Sequence, residues 1–253
     1  MADALLEKKG HTAWVTMNRP EAMNSLTAGL CAGLTEIFAE CERAEEIRAV
    51  VLTGTGRAFC AGGDLPTLAA LRSREEAEAY VKTAGTVAIA IVRSAKPYIA
   101  MVNGAAAGAG FNIALACDFL CASKNAKFTQ AFSSIGLISD CGGNMTLPRL
   151  VGPRVAKRLM MLPEKLSAEE AEKLGLTTLV AEDSALRAKT EELAARLAAM
   201  PPCALGEIKK FINEAELFEA ALRREESIQS RLIMGGECKE GISAFFEKRQ
   251  PKF

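Results

Sequence analysis

Apolar residues fall at two different spacings along the first half of this chain. Residues 12–17 and 49–53 are short, dense apolar runs and read as strands. Residues 26–41 repeat apolar positions every three or four residues and read as a helix between them. A short helix is predicted at 66–72 and a longer one at 75–93, whose Glu-rich beginning suits the positive end of a helix. Lys96-Pro97 stops it, because proline cannot continue a helix. A strand at 98–102, a helix of small and apolar residues at 108–116, and short strands at 119–122 and 127–129 follow. Strands alternating with helices predict an α/β core with parallel pairing. From Pro153 onward the strand signals stop and helix follows helix, at 155–162, 168–174, 184–200, 203–219, 220–234 and 237–248. The shift divides the chain into a core over 1–190 and a helical region over 191–253, with no low-complexity linker between them.

Two glycine-rich stretches interrupt this pattern. One is Arg57-Ala58-Phe59-Cys60-Ala61-Gly62-Gly63-Asp64-Leu65 and the other Asn103-Gly104-Ala105-Ala106-Ala107-Gly108-Ala109-Gly110. Each follows a strand-like run and leads into helix-like sequence. Glycine and alanine let a ligand approach the main chain closely, and the first N–H groups of a helix lack internal partners and carry partial positive charge. Two such donors converging on one oxygen make an oxyanion hole.

Both stretches resemble those of the crotonase (enoyl-CoA hydratase/isomerase) superfamily. The resemblance extends over nearly the whole chain, through Asn18-Arg19-Pro20, the run from Lys96-Pro97 to Ala116-Cys117-Asp118, Leu147-Pro148-Arg149-Leu150-Val151-Gly152 and Phe245-Phe246-Glu247-Lys248-Arg249. It implies a spiral of ββα repeats with a C-terminal helical trimerisation region, and so a homotrimer or a dimer of trimers. It also implies an enzyme without a prosthetic group, whose substrate is a coenzyme A thioester with its carbonyl oxygen held by the main-chain N–H groups of Gly63 and Ala109. Ala61, Gly63, Asp64 and Leu65 then lie along the coenzyme A wall. Asp64, at a predicted helix start, also reads as an N-cap.

The acid/base group departs from the pattern of the family's hydratases. Their two water-activating glutamates map onto Asn112 and Phe132, neither of which takes a proton at neutral pH. Asp140, in Gly136-Leu137-Ile138-Ser139-Asp140-Cys141-Gly142-Gly143, matches the place where several double-bond isomerases of the family carry an acidic base. Shifting a double bond through a dienolate needs one carboxylate, and the apolar neighbours Phe132, Ile135, Leu137 and Ile138 would raise its pKa toward a useful range. A competing role for Asp140 is to cap the helix that begins near Gly142. Asn112, Phe132 and Ile135 are expected to line the acyl pocket. The reading favoured is a Δ3,Δ2-enoyl-CoA isomerase; an enoyl-CoA hydratase and an inactive acyl-CoA-binding subunit are the alternatives.

Charge and cysteine usage narrow the remaining classes. Lys plus Arg and Asp plus Glu each number 31, so no basic excess points to nucleic acid. The 8 cysteines include no CxxC pair and read as reduced, mostly buried residues of a cytoplasmic protein. His11 is the only histidine, which disfavours both a metal site and a serine or cysteine triad. No apolar run is long enough to span a bilayer.

Overall fold

Residues 2–253 are described by a computed structural model. Strand β1 (Ala4–Lys9) forms a hairpin with β2 (Thr12–Met17), which leads through α1 (Ala28–Arg43) to β3 (Ala49–Gly54) and the short β4 (Ala58–Cys60). Helices α2 (Leu65–Ala70) and α3 (Arg74–Arg93) follow, then β5 (Tyr98–Val102), β6 (Ala105–Ala107), α4 (Ala109–Ala116), β7 (Phe119–Ser123) and β8 (Lys127–Thr129). A 3-10 turn at Ala131–Ile135 precedes α5 (Gly143–Met161), β9 (Leu166–Ser167), α6 (Ala168–Lys173), β10 (Leu179–Ala181), α7 (Asp183–Ala198), α8 (Pro202–Asn213), α9 (Ala215–Ile233) and α10 (Gly236–Glu247).

The strands form two sheets. The larger, in order β1-β2-β3-β5-β7-β10, is parallel except at its β1 edge, and the smaller, β4-β6-β8-β9, is parallel except at β9. Alternation along the strands sends successive side chains to opposite faces. Val15, Val50, Leu52 and Ala100 meet α1 and α3 through Leu34, Phe38, Val87 and Ile91. Trp14, Val51, Ile99 and Met101 meet Leu186 and Ala194 of α7 on the other face. The large sheet is therefore covered on both sides, which parallel strands require.

Two expectations are corrected. Strand structure does not stop at Pro153, since β9 and β10 extend one edge of each sheet. The helix break expected between residues 219 and 220 lies instead at Glu214, held in the left-handed region at φ 46°. Helix α7 runs across the junction at residue 190 and packs on the large sheet, and α9 folds back along α3.

Candidate active site

In the small sheet β4, β6 and β8 run parallel, so their C-terminal ends open on one side. Residues 61–64, Gly108 and the 3-10 turn at Ala131–Ile135 all emerge there. Gathering loops at the carboxyl ends of parallel strands is the general way such sheets build a site. The first loop is pinned from the N-terminal side. Asn24 is wholly buried and left-handed; its Nδ2 donates to Thr55 O (3.0 Å) and Ala58 O (2.9 Å), and its Oδ1 accepts from Arg19 N (2.8 Å). Arg19 Nη1 in turn donates to Ser25 O at 2.8 Å, which explains the Asn18-Arg19-Pro20 motif structurally.

Gly62 sits at φ 93°, and a Cβ placed on it would stand 2.7 Å from Ala107 O and 3.3 Å from Ala109 N. Only glycine lets the two loops approach this closely. Leu26 N–H donates to Gly62 O (2.8 Å) in an isolated parallel bridge between Leu26 and Gly63. In a bridge of that sense Gly63's own N–H points to the other side, and among the described residues it donates to no backbone carbonyl. Ala109 is the first residue of α4, where the N–H has no intrahelical acceptor and feels the positive end of the helix. The close approach at Gly62 thus brings the loop that carries the Gly63 N–H up against the start of α4, where the Ala109 N–H lies.

Asp64 and Leu65 follow at the start of α2. Asp64 accepts from Thr67 N (3.2 Å), Thr67 Oγ1 (2.7 Å) and Ser25 Oγ (2.8 Å), so it is an N-cap. Burial works to raise its pKa, but the bonds from Thr67 and Ser25 outweigh it and the net direction is down. Ala61 N–H donates to Met23 O at 2.9 Å. Tyr80 of α3 reaches the same loop: its hydroxyl accepts from Asp64 N (2.8 Å), and a Cβ on Gly63 would lie 3.0 Å from it. Desolvation raises the Tyr80 pKa far above its ordinary value, keeping it a neutral phenol.

Phe132 lays its ring against Gly108, 3.5 Å from where a Cβ would stand, and Ile135 packs its backbone against Gly241 of α10. Asn112, on the buried α4, has its polar atoms fully engaged. Its Nδ2 donates to Ser139 Oγ (2.8 Å) and Asp140 O (2.7 Å), and its Oδ1 accepts from Gln130 Nε2 (2.7 Å). The side chain expected to line the acyl pocket holds the Asp140 loop against α4.

Asp140 itself is 8% exposed. Its Oδ2 accepts from Gln229 Nε2 at 3.2 Å, and its Oδ1 is buried without a partner. Burial pushes its pKa up to about 6, against the opposing pull of hydrogen bonds from Gln229 and Cys141. A buried carboxyl with one unpartnered oxygen can exchange a proton near neutral pH. Its side chain does not cap α5. That helix begins after Gly142, and Glu225 of α9 serves its N–H groups instead, accepting from Gly142 N (2.8 Å) and Asn144 N (3.3 Å) and from Asn144 Nδ2 (3.1 Å). Sequence reasoning missed Glu225 and Gln229. They stand one turn apart in a charge-rich helix, and only the buried spacing of Phe218, Leu222 and Glu225 hinted that one acid faces inward.

The chain belongs to the enoyl-CoA hydratase/isomerase family of acyl-CoA enzymes, whose family model matches residues 7–253. A 1,2-epoxyphenylacetyl-CoA isomerase from Escherichia coli (strain K12) is 40% identical over 247 residues, covering 94% of this chain and 93% of its own. A probable enoyl-CoA hydratase from Rhodobacter capsulatus is 41% identical over 250 residues, covering 95% and 93%. The crystal structure of an enoyl-CoA hydratase from Mycobacterium avium subsp. paratuberculosis K-10 superposes with a TM-score of 0.90 at 33% identity, covering 100% of this chain and 98% of that one. Among the described residues no helix is long and apolar enough to cross a membrane.

Proposed function

We propose that this protein is an enoyl-CoA isomerase that moves a double bond from the 3- to the 2-position of an acyl-CoA, with Asp140 as its single proton shuttle. The observation that carries this reading is the buried Asp140 Oδ1, unpartnered on a carboxyl whose pKa is raised to about 6; the sequence resemblance supports it by mapping the hydratases' two glutamates onto Asn112 and Phe132. The Asp140 carboxylate takes the α-proton of a 3-enoyl thioester. The electron pair passes into the thioester carbonyl to give a dienolate, whose oxygen accepts from the N–H groups of Gly63 and Ala109. The Asp140 acid then returns the proton at the γ-carbon, leaving the conjugated 2-enoyl thioester and the starting carboxylate. Each main-chain donor contributes roughly 10²–10³-fold to such a reaction.

In this scheme Ala61, Gly63, Asp64 and Leu65 form the wall along coenzyme A, Phe132 and Ile135 bound the acyl group, and Asn112 fixes the base. The relative from Escherichia coli noted above is named as an isomerase of an acyl-CoA. Eight free thiols, seven of them buried, suit a reducing compartment such as the cytoplasm. The test is incubation with 3-enoyl-, 2-enoyl- and 3-hydroxyacyl-CoA thioesters, with products identified by mass and double-bond position. Conversion of 3-enoyl to 2-enoyl thioester should exceed hydration of the 2-enoyl thioester. Faster hydration would make the protein a hydratase, and binding without turnover of any of them would make it an inactive subunit.

A further inference from the structure

Helix α9 carries two buried polar side chains that the isomerase scheme does not use. Glu225 and Gln229 are 3% and 1% exposed and lie four residues apart, so they share one face of the helix. Both turn toward residues 138–144. Gln229 Oε1 accepts from Ile138 N (3.1 Å), and its Nε2 donates to Ile138 O (2.9 Å) and Asp140 Oδ2 (3.2 Å). Glu225 takes the three bonds from Gly142 and Asn144 described above. The loop it binds is bent through consecutive left-handed residues, Cys141 at φ 50° and Gly142 at φ 80°, a conformation a non-glycine residue holds only when its surroundings fix it.

We propose that Glu225 and Gln229 are positioning residues for Asp140, a clamp from α9 that holds the strained turn after the base and occupies its Oδ2, so that Oδ1 alone is left to the substrate. The inference rests on Asp140 being the base. The clamp acts on each side of Asp140: Gln229 holds the residue two before it and one of its own oxygens, while Glu225 holds the residue two after it. Asn112 completes the grip from α4 through the Asp140 carbonyl.

The clamp also sets the charge around the base. Asp140 faces Asn112 from α4, Cys31 from α1, Tyr80 from α3, Gln229 and Glu225 from α9, and Ser139 and Cys141 in its own loop. Desolvation pushes Cys31 up to about 12 and Tyr80 and Cys141 well above their ordinary values, so all three stay neutral. Arg224 lines a cavity beside Glu225, on a surface shared with Ile138 and Asn144. Burial raises the Glu225 pKa as well, to about 7, with the charge of Asp140 adding to it after burial. Three N–H donors and the start of α5 favour its anion, whereas Asp140 has a single side-chain partner from α9. The two carboxyls are coupled, so a charge on Glu225 raises the pKa of Asp140 just as a charge on Asp140 raises that of Glu225.

Two near-isosteric variants read this with opposite signs. Glu225→Gln removes the carboxyl coupled to Asp140, so the acid limb of the kcat/KM profile for 3-enoyl-CoA should move down by roughly half a unit or more. Gln229→Met removes the hydrogen bond to the Asp140 carboxylate, so the same limb should move up by a similar amount, roughly half a unit. Both should lower kcat at least about fivefold with little change in KM, since coenzyme A binding is untouched. Carbon NMR titration of labelled aspartate carboxyls in the free protein, with the Asp140 signal assigned by its loss in Asp140→Asn, gives the same shifts without any turnover. A structural brace alone would lower the melting temperature and leave both the limb and the titration in place, which would overturn the clamp. Because the shifts differ in sign, loss of fold in one variant leaves the other decisive. Full activity in Asp140→Asn would instead remove Asp140 as the base, and with it the reading on which the clamp rests, while the titration separately reports whether α9 holds the Asp140 carboxyl.

Discussion

Asp140 is a residue whose position costs the protein stability. In the unfolded chain its pKa is near the ordinary 3.8, and in the fold burial raises it to about 6, so the folded state binds more protons across that interval. Stability therefore falls as pH rises from about 4 to about 6 and stays lowered above, by something like 2–3 kcal/mol for this group. Asp140→Asn keeps the shape and has no charge to desolvate. It should unfold at higher denaturant than the parent at pH 8, and the difference should close near pH 4, as urea melts at the two pH values would show. The same variant should lose isomerase turnover by at least about 10³-fold, because asparagine cannot take the α-proton. Activity within about tenfold of the parent would remove Asp140 as the base. Asp140 could be picked out as a candidate base from the sequence because it lies in a family motif beside apolar neighbours. Glu225 was not: it acts on Gly142, 83 residues away, and sits in Leu222-Arg223-Arg224-Glu225-Glu226, which reads as a solvated helix face.

At the scale of elements, long periodic segments such as α1, α3 and β5 were readable, and the small sheet that carries the site was much less so. Ala105-Ala106-Ala107 has no β-branched residue, so nothing in its composition marks β6 as a strand; its pairing with β4 and β8 makes it one. Strands β9 and β10, of two and three residues, are likewise set by the edges they extend. The glycines were readable as loops, yet their contact was not, because it depends on β4 and β6 lying side by side. Gly62→Ala tests that contact. Its φ of 93° is unfavourable for any side chain, and the added carbon would stand 2.7 Å from Ala107 O. We expect a loss of about 1–3 kcal/mol in stability together with a drop in turnover, as the start of α4 is pushed from the Gly63 strand end. Chemical denaturation and initial rates check both, and a variant with parental stability and rate would show that the loops do not rely on this approach.

On the scale of the whole molecule, the helical region after residue 190 has two faces. One is inward: α9 lies along α3, and buried Lys209 of α8 pairs with Asp118 at 2.7 Å and donates to Lys96 O at 2.8 Å, tying α8 to the ends of the core elements. The other is outward and apolar. On α8, Ile208 is 55% exposed, Phe211 87% and Ile212 66%, at spacings that put them on one stripe of the helix. A fold that buries Lys209 yet leaves Phe211 in water has a face that favours cover, and we propose another copy of the chain as its partner, in a trimer or a dimer of trimers. Burying one such phenylalanine contributes roughly 1.5–3 kcal/mol, so a few per contact hold an assembly together. Light scattering should give the mass of three or six chains, measured well above the sequence pI of 6.7 so that near-zero net charge does not itself promote association. Phe211→Asp should lower that mass while leaving the helical circular dichroism unchanged, because residue 211 makes no core contact in the single chain. A parent protein that stays monomeric at micromolar concentration would show that this stripe is not an assembly face.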